Sequence, residues 1–250
     1  MFFNLLLIVM LFGPLPAIYS AISKREKPYF AIGYGITSGT LAILIIFALA
    51  FLMGQSFGSQ MDTQIDNMVS VIVNNKEMLS AVGLEQVSSA KAVATLTDLY
   101  KSFAVLFPSV LIIFVTIISY IEYNIMVRVR YAQSSGYRPY AYLRNFALRN
   151  NDVMGWFLIY LVGYLMKFAG IGIGEIAVMN INVLVNTVIS IQAMGLIFFV
   201  TYVKQRPKIF AIIITVCLWL IPMGKSILFI LGLFDLLLNL RGRFRENFNG

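Results

Sequence analysis

The chain has 250 residues, of which 60% are hydrophobic and 12% are charged, and its mean hydropathy is +0.84. Soluble domains carry about 25% charged residues, so this composition excludes an ordinary soluble fold. The chain has no histidine and one cysteine, which excludes an intrachain disulfide and removes the commonest metal ligands. We therefore expect no metal site, no cofactor and no catalytic residue. The cysteine, Cys217, lies in an apolar run and is predicted to be a buried thiol.

Seven apolar stretches divide the chain, and about 20 apolar residues are enough to cross a hydrocarbon core of about 30 Å. The predicted fold class is all-α: a polytopic transmembrane helix bundle of about seven spans, forming a single membrane domain over 1–250. The last two stretches are short and are separated by a Pro-Met-Gly-Lys break at 222–225, so a half-buried hairpin remains an alternative to two full spans. In chain order the predicted spans are 2–22, 29–53, 99–123, 154–169, 176–202, 209–221 and 226–240.

The segment 55–98, between the second and third spans, has apolar residues at helical spacing and polar residues on the opposite side. This is the pattern of an amphipathic helix. We expect this extracytoplasmic helix to lie on the membrane surface or to cap the bundle, and packing is favoured over gating as its role. Its apolar residues are Met61, Ile65, Met68, Val69, Ile72 and Leu79.

The positive charges are strongly biased to one side of the spans. Fourteen of the 19 Lys and Arg residues lie in 23–28, 124–153, 203–208 and 241–250. The positive-inside rule places these segments in the cytoplasm of a bacterial cell membrane, with the N-terminus outside and the C-terminus inside. A chain that begins outside the cell without a leader is unusual. The presence of further spans upstream of the first one is therefore left open. The basic loop 124–153 is expected to contact anionic lipid headgroups first and a cytosolic protein second, and no nucleic acid.

Polar side chains inside a membrane are costly, so each needs a partner or a role. Asn182, Asn186 and Ser190 fall at positions i, i+4 and i+8, and therefore share one face of the fifth span, with Gln192 around from it. Two interpretations stay open. These groups form a face that binds a small neutral solute, or they hold the bundle together by interhelical hydrogen bonds.

Two carboxylates lie in or beside the spans. Glu122 is expected at the inner end of the third span, paired with Arg128 or a neighbouring loop arginine. Asp235 lies deeper, and an ion pair with Arg241, Arg243 or another cation is favoured over proton coupling. Nothing in the sequence brings the two carboxylates together, which argues against an intramembrane enzyme.

Small residues spaced by four predict close contacts between helices. Such contacts serve internal packing or a partner subunit, and the sequence leaves both open. Pro108 predicts a kink in the third span. The small residues are Ala17 and Ala21 in the first span and Ala31, Gly35 and Gly39 in the second.

Three short segments carry a resemblance to a known family: Arg138-Pro139 with Leu143-Arg144-Asn145, then Ile191 to Gly195, then Leu231 to Asp235 followed by Arg241. They resemble the YybS-like family, uncharacterised polytopic membrane proteins of Gram-positive bacteria, over about residues 100–245. Members usually have more spans at the front than this chain. The resemblance implies the fold of the S components, the substrate-capturing subunits of energy-coupling-factor vitamin transporters. The positions that match the family pattern are Gln192, Gly195 and Asp235.

We therefore expect a solute-binding or transport subunit with a small-molecule ligand, embedded in the lipid bilayer. The chain has no Walker motif, so an ATP-driven step would need ATPases and a second membrane subunit in trans. The alternative is a membrane scaffold or regulatory partner without transport activity, which the basic loop and the amphipathic helix favour.

Overall fold

The computed structural model describes residues 2–54, 57–131, 139–148, 150–221 and 223–249. Every regular element in those ranges is helical, which confirms the all-α fold class. The elements are α1 Phe2–Phe12, α2 Leu15–Ser23, α3 Pro28–Leu52, α4 Phe57–Asn74, α5 Lys76–Ala81, α6 Ser89–Val105, α7 Phe107–Arg130, a 3₁₀ turn Leu143–Asn145, α8 Asn150–Phe168, α9 Gly172–Val203, α10 Lys208–Leu220, α11 Gly224–Leu238 and α12 Leu240–Asn249.

Several of these helices have the length and composition of membrane spans, which is consistent with the predicted polytopic arrangement. The described residues include four helical stretches that are long and apolar enough to cross: Asn4–Ser23, Pro28–Leu52, Phe107–Arg130 and Gly172–Val203. Two more apolar helices are shorter, Met154–Phe168 and Lys208–Leu220. The total of seven spans stays a prediction.

The first predicted span is broken into α1 and α2 at Gly13 and Pro14, because a proline cannot donate the hydrogen bond that would continue α1. The break brings the chain close to α3: Ser38 Oγ donates to the Gly13 carbonyl oxygen at 2.9 Å. A Cβ atom on Gly13 would lie 3.3 Å from the Gly39 Cα atom. The glycines therefore serve an unusually close helix contact.

The small residues of α3 lie inside the protein. Ala31, Gly35 and Gly39 are buried between α2 and α7. A Cβ atom on Gly35 would lie 2.7 Å from Ile18 Cγ1, and one on Gly39 would lie 2.7 Å from Val115 Cγ1. These contacts correspond to the internal-packing interpretation. On α2, Ala21 is buried, whereas Ala17 lines a shallow groove of about 410 Å³ between α2 and α3.

The third span lies further along the chain than predicted. The sequence placed it at 99–123, but α7 runs from Phe107 to Arg130. Pro108 ends α6 rather than kinking a single helix, because it sits in the first turn of α7, where no backbone donor is needed. The predicted basic loop 124–153 consequently begins as the last two turns of α7.

The predicted amphipathic helix is present as α4, but its main partner is another helix. Ile65 and Val69 pack against Leu96 of α6, and Met61 and Tyr100 border the same cluster. The helices α4 and α6 therefore form an antiparallel hairpin between α3 and α7. The sequence did not predict this arrangement, because α6 was assigned partly to the third span. Met68, which was expected on the packed face, is 52% exposed.

Helix α9 is the centre of the C-terminal half and packs against α7, α8, α10, α11 and α12. Its contact with α11 is close: a Cβ atom on Gly232 would lie 2.1 Å from the Ile189 carbonyl oxygen. Only glycine permits this approach of two helix backbones.

Helices α10 and α11 form a short hairpin of 13 and 15 residues. At 1.5 Å per residue each is about 20 Å long. Ala211 lies on the buried side of α10, and Thr215 and Leu218 follow it at helical spacing. Cys217 lies off this stripe and is exposed, so the predicted buried thiol is wrong.

Candidate functional site

Residues 139–148, which we call the strap, cross one end of the bundle as irregular chain around the short 3₁₀ turn. A segment of this kind satisfies only some of its own backbone groups, here the amides of Tyr142, Asn145 and Phe146, so the others need partners elsewhere. The strap finds them on the side chains of four helices, α3, α7, α9 and α12, from both halves of the protein.

The first part of the strap is held by α7. Tyr123 Oη donates to the Pro139 carbonyl oxygen at 2.7 Å, and Tyr120 Oη donates to the Ala141 carbonyl oxygen at 2.8 Å. The Ala141 amide donates to Asn124 Oδ1 at 3.1 Å. Three polar side chains within two turns of one helix thus fix three backbone groups of the strap.

Helix α3 holds the middle of the strap. Tyr29 Oη donates to the Tyr142 carbonyl oxygen at 2.5 Å. The ring of Tyr29 also meets the ring of Phe146 edge-on, with 5.5 Å between centroids. Such edge-to-face pairs are a favoured aromatic arrangement.

The second part of the strap is held by the C-terminal half. The Leu148 amide donates to Gln192 Oε1 at 3.0 Å. Arg241 Nη1 donates to the carbonyl oxygen of Arg144 at 3.2 Å and to that of Phe146. The strap is therefore a polar connection between the two halves.

Gln192, Asp235 and Arg241 form a buried network, with 3%, 4% and 9% of their surfaces exposed. Gln192 Nε2 donates to Asp235 Oδ2 at 2.6 Å, and Arg241 Nε donates to the same oxygen at 3.0 Å. Arg241 Nη2 donates to the Gln192 carbonyl oxygen at 3.0 Å. The predicted pairing of Asp235 with Arg241 is thus present in the structure, and the two charges lie against each other inside the protein.

Gly195 lies on α9 one turn after Gln192, directly beneath the strap. A Cβ atom on Gly195 would lie 2.8 Å from Arg241 Nη2 and 2.8 Å from the Leu143 carbonyl oxygen. The absence of a side chain therefore lets both the strap and Arg241 approach the helix. A larger residue would have to displace one of them.

The three segments that carried the family resemblance meet at this one place. The strap, Gln192 with Gly195, and Asp235 with Arg241 are connected by direct hydrogen bonds. The side chains of Gln192 and Arg241 are committed to protein partners, and the carboxylate faces a guanidinium. We call the Gln192–Asp235–Arg241 network the latch, because its hydrogen bonds connect α9, α11, α12 and the strap.

The polar face of the fifth span does not converge on one place. Gln192 belongs to the latch, and Ser190 is buried. Asn182 is exposed and accepts hydrogen bonds at Oδ1 from Tyr160 Oη at 2.9 Å and from Asn186 Nδ2 at 3.0 Å. We call Asn182 and Asn186 the asparagine pair. Among the described residues, the amide nitrogen of Asn182 and the amide oxygen of Asn186 form no further hydrogen bond.

Glu122 does not pair with Arg128, the first of its predicted partners, and the loop arginines Arg138 and Arg149, which belong to the predicted alternative, lie outside the described residues. Glu122 is half-buried, its Oε2 atom has no hydrogen-bond partner, and it forms no ion pair within the described ranges. The pair with Arg128 is absent because α7 remains helical through both positions. Residues six apart on a helix point to different sides of it, so the two side chains cannot meet.

Asn180 is a buried polar residue that the sequence analysis missed. Its Nδ2 atom donates to the Val105 carbonyl oxygen at 2.8 Å, and its Oδ1 atom accepts from the Ser109 amide at 2.9 Å. It thereby satisfies backbone groups on both sides of the break between α6 and α7. Pro108 indicated that free backbone groups would exist there, but not which side chain would reach them.

In the described part of the chain, no three Cys, Asp or Glu side chains come together as they would around a metal ion. The model of a family described as predicted membrane protein (DUF2232) matches residues 1–236. The matched range contains the strap, Gln192, Gly195 and Asp235 and ends before Arg241. No curated protein matches the chain, and no solved structure matches it.

Proposed function

This chain belongs to the DUF2232 family of predicted membrane proteins, and we propose that it is a solute-binding subunit that captures a small neutral molecule within the membrane. The observation that carries the proposal is the asparagine pair, in which the amide nitrogen of Asn182 and the amide oxygen of Asn186 have no hydrogen-bond partner among the described residues. The resemblance to the YybS-like family, together with the S-component fold that this resemblance implies, favours the same function.

The asparagine pair is far from both ends of α9. Asn182 lies ten residues after Gly172, and Asn186 lies 17 residues before Val203. At 1.5 Å per residue, these separations are about 15 Å and about 26 Å. An amide with unmet hydrogen bonds costs several kcal/mol in hydrocarbon, because no water is present to take them. A bound solute that fills both positions would remove that cost.

The ligand that fits is a neutral molecule with a donor and an acceptor side by side, as in an amide. It would accept from Asn182 Nδ2 and donate to Asn186 Oδ1. The rings of Tyr160 and Tyr164 are stacked beside the pair, with centroids 5.6 Å apart and planes inclined by 20°. This aromatic surface favours a ligand with a planar ring.

In this proposal the protein performs no covalent chemistry and is not an enzyme. Because the chain has no Walker motif, ATPases and a further membrane subunit in trans would provide the energy for transport. The protein would lie in a bacterial cell membrane with its basic segments in the cytoplasm.

A thermal-shift experiment on the full chain in detergent tests the proposal. The probes are neutral planar heterocycles that carry an amide, compared with N-methylated analogues that lack the donor. We expect a probe to stabilise the wild type and Thr201→Val, but not Asn186→Leu. Thr201 is a suitable control because it lies on the same helix and its hydroxyl donates to the Ile197 carbonyl oxygen. Equal stabilisation of Asn186→Leu would contradict the proposal.

A membrane scaffold is the second candidate, favoured by the α4–α6 hairpin. Met68 and Val71 of α4 are 52% and 56% exposed on the side away from the α6 contact. Purification from native membranes in mild detergent, followed by mass spectrometry, separates the two functions. A stoichiometric ATPase pair with a second membrane subunit indicates solute capture, whereas a different stable partner indicates a scaffold.

A further inference from the structure

We propose that Arg144, framed by the rings of Tyr142 and Tyr202, is a binding site for a phosphate group at the strap end of the bundle. The site lies apart from the asparagine pair and does not depend on the solute-binding proposal. The ligand class is a phosphate ester or inorganic phosphate, and the headgroup of an anionic lipid is the source that the position favours.

The guanidinium of Arg144 lies over two aromatic rings. Its Cζ atom lies 3.8 Å from the centroid of Tyr202 and 4.7 Å from that of Tyr142. Cation–π contacts of this kind orient a guanidinium by its faces and leave its N–H edges available. The strap positions Tyr142, and α9 positions Tyr202, so the site exists only where the strap meets that helix.

The N–H edges of Arg144 have no partner among the residues that the structure describes. Within the described ranges its guanidinium donates no hydrogen bond and has no carboxylate at ion-pair distance. Arg241 shows the contrast, because its guanidinium donates to Asp235, Gln192 and two strap carbonyl oxygens. The nearby carboxylate is therefore already paired, and a half-buried arginine remains with free donors in a planar fork.

Further positive charge follows Tyr202 along the chain. Lys204 and Arg206 lie two and four residues after it, are exposed, and pair with no carboxylate in the part of the chain that the structure describes. Gln205 has a φ of 52°, so the chain turns here between α9 and α10. These basic residues add positive charge to the end of α9 that carries Tyr202, which favours an anionic ligand. Arginine binds a phosphate group through two parallel hydrogen bonds.

The position favours a lipid headgroup as the source of the phosphate. Tyr142 and Tyr202 are 41% and 58% exposed, and they lie at the end of a helix that is long and apolar enough to span a membrane. Tyrosine is enriched at the level of lipid headgroups, where juxtamembrane Lys and Arg attract anionic lipids. A free phosphate ester would form the same hydrogen bonds with Arg144. It would lack the acyl chains by which a lipid also contacts the helix.

Native mass spectrometry of the full chain in a neutral detergent tests the site. Phosphatidylglycerol and phosphatidylcholine are added separately, and lipid retention is measured for the wild type, Arg144→Gln and Arg128→Gln. Arg128 is an exposed arginine on α7, so its variant removes the same charge elsewhere. We expect Arg144→Gln to weaken phosphatidylglycerol binding about tenfold or more, the effect of losing charge-assisted hydrogen bonds. The Arg128→Gln protein should bind nearly as the wild type does.

Two further measurements complete the test. Tyr202→Leu keeps the charge and removes one ring, and it should weaken binding several-fold, which also covers the case in which Arg144→Gln does not fold. Millimolar inorganic phosphate that displaces the lipid and stabilises the lipid-free protein would identify free phosphate as the ligand, whereas lipid retention in phosphate identifies the headgroup. Equal losses in Arg144→Gln and Arg128→Gln, or wild-type binding by both Arg144→Gln and Tyr202→Leu, would overturn the proposal.

Discussion

Gln192 of α9 and Asp235 of α11 are joined by a hydrogen bond of 2.6 Å from Nε2 to Oδ2, and Arg241 reaches the same oxygen at 3.0 Å. One carboxylate oxygen thus connects three helices in the interior of the protein. Buried charges are tolerated only when they are paired and hydrogen-bonded. The stability of the C-terminal half should therefore depend strongly on the whole latch and respond differently to the loss of one member or two.

Replacing Asp235 by Leu should destabilise the protein severely. The variant leaves the guanidinium of Arg241 buried without a counter-charge, which costs about 3–5 kcal/mol in free energy of unfolding. The double variant Asp235→Leu, Arg241→Met removes both charges and should recover a large part of that loss. Thermal unfolding in detergent measures both effects, with the exposed Asp62→Leu as the control. The single variant Arg241→Met completes the cycle, and a double variant that is destabilised by the full sum of the two single changes would contradict this account.

Replacing Gly195 by Ala should displace the strap or Arg241. The new methyl group would lie 2.8 Å from both Arg241 Nη2 and the Leu143 carbonyl oxygen, so one of them must move. Such overpacking typically costs about 1–3 kcal/mol. Gly33→Ala is the matched control, because a Cβ atom there has no neighbour within 4 Å. It should be neutral or slightly stabilising in the same unfolding assay, and equal effects of the two variants would show that the crowding is absent.

The sequence predicted the helical framework because apolar runs and breaks are local properties. The α3 and α9 spans agree with prediction to within a few residues at each end, whereas the third span was misplaced because 99–105 belongs to α6. The pairing of Asp235 with Arg241 could be predicted from the sequence because the two residues are only six positions apart. In the structure they lie on either side of Asn239, whose φ of 46° interrupts the helix.

The contacts of the strap could not be predicted from the sequence. The strap has no periodicity, and its partners form hydrogen bonds with backbone carbonyl and amide groups, which nearly every residue possesses. Nothing local indicates that Tyr123 will bond to Pro139 rather than remain at a surface. The resemblance marked Gln192, Gly195 and Asp235, but only the fold shows that they meet at one network.

Removing the hydroxyl of Tyr123 should loosen the strap. Tyr123→Phe leaves the Pro139 carbonyl oxygen without its donor, which costs about 1 kcal/mol for a hydrogen bond of this kind. The strap should open more often, and trypsin should cleave after Arg144 faster than in the wild type. Tyr34→Phe is the control, since Tyr34 is exposed on α3. The same cleavage rate in both variants would mean that the hydroxyl does not secure the strap.

Asn180 and Asn182, two residues apart on α9, should differ in what they affect. Asn180→Leu removes the partner of the Ser109 amide and of the Val105 carbonyl oxygen, so it should lower the unfolding temperature. The cost of such unsatisfied buried groups is about 1–3 kcal/mol each. Asn182→Leu removes an exposed amide together with the acceptor of Tyr160 Oη and Asn186 Nδ2. It should change the unfolding temperature less than Asn180→Leu does, while abolishing stabilisation by a bound solute. If Asn180→Leu kept its unfolding temperature but was no longer stabilised by the solute, the roles assigned to Asn180 and Asn182 would be reversed.

The turn of the α10–α11 hairpin should lie on one side of the membrane, and the start of α10 and the end of α11 should lie on the other. Lys225 follows the turn and lies 5.4 Å from the centroid of the Trp219 ring, whereas Lys204 lies at the end of α9. A lysine beside a tryptophan is typical of a membrane interface, and a charge held at the bilayer centre would cost more. In a Cys217→Ser background, Lys225→Cys should react with an impermeant maleimide in intact cells, and Lys204→Cys only after permeabilisation. Labelling of both from the same side would show that the hairpin enters the membrane and returns without crossing it.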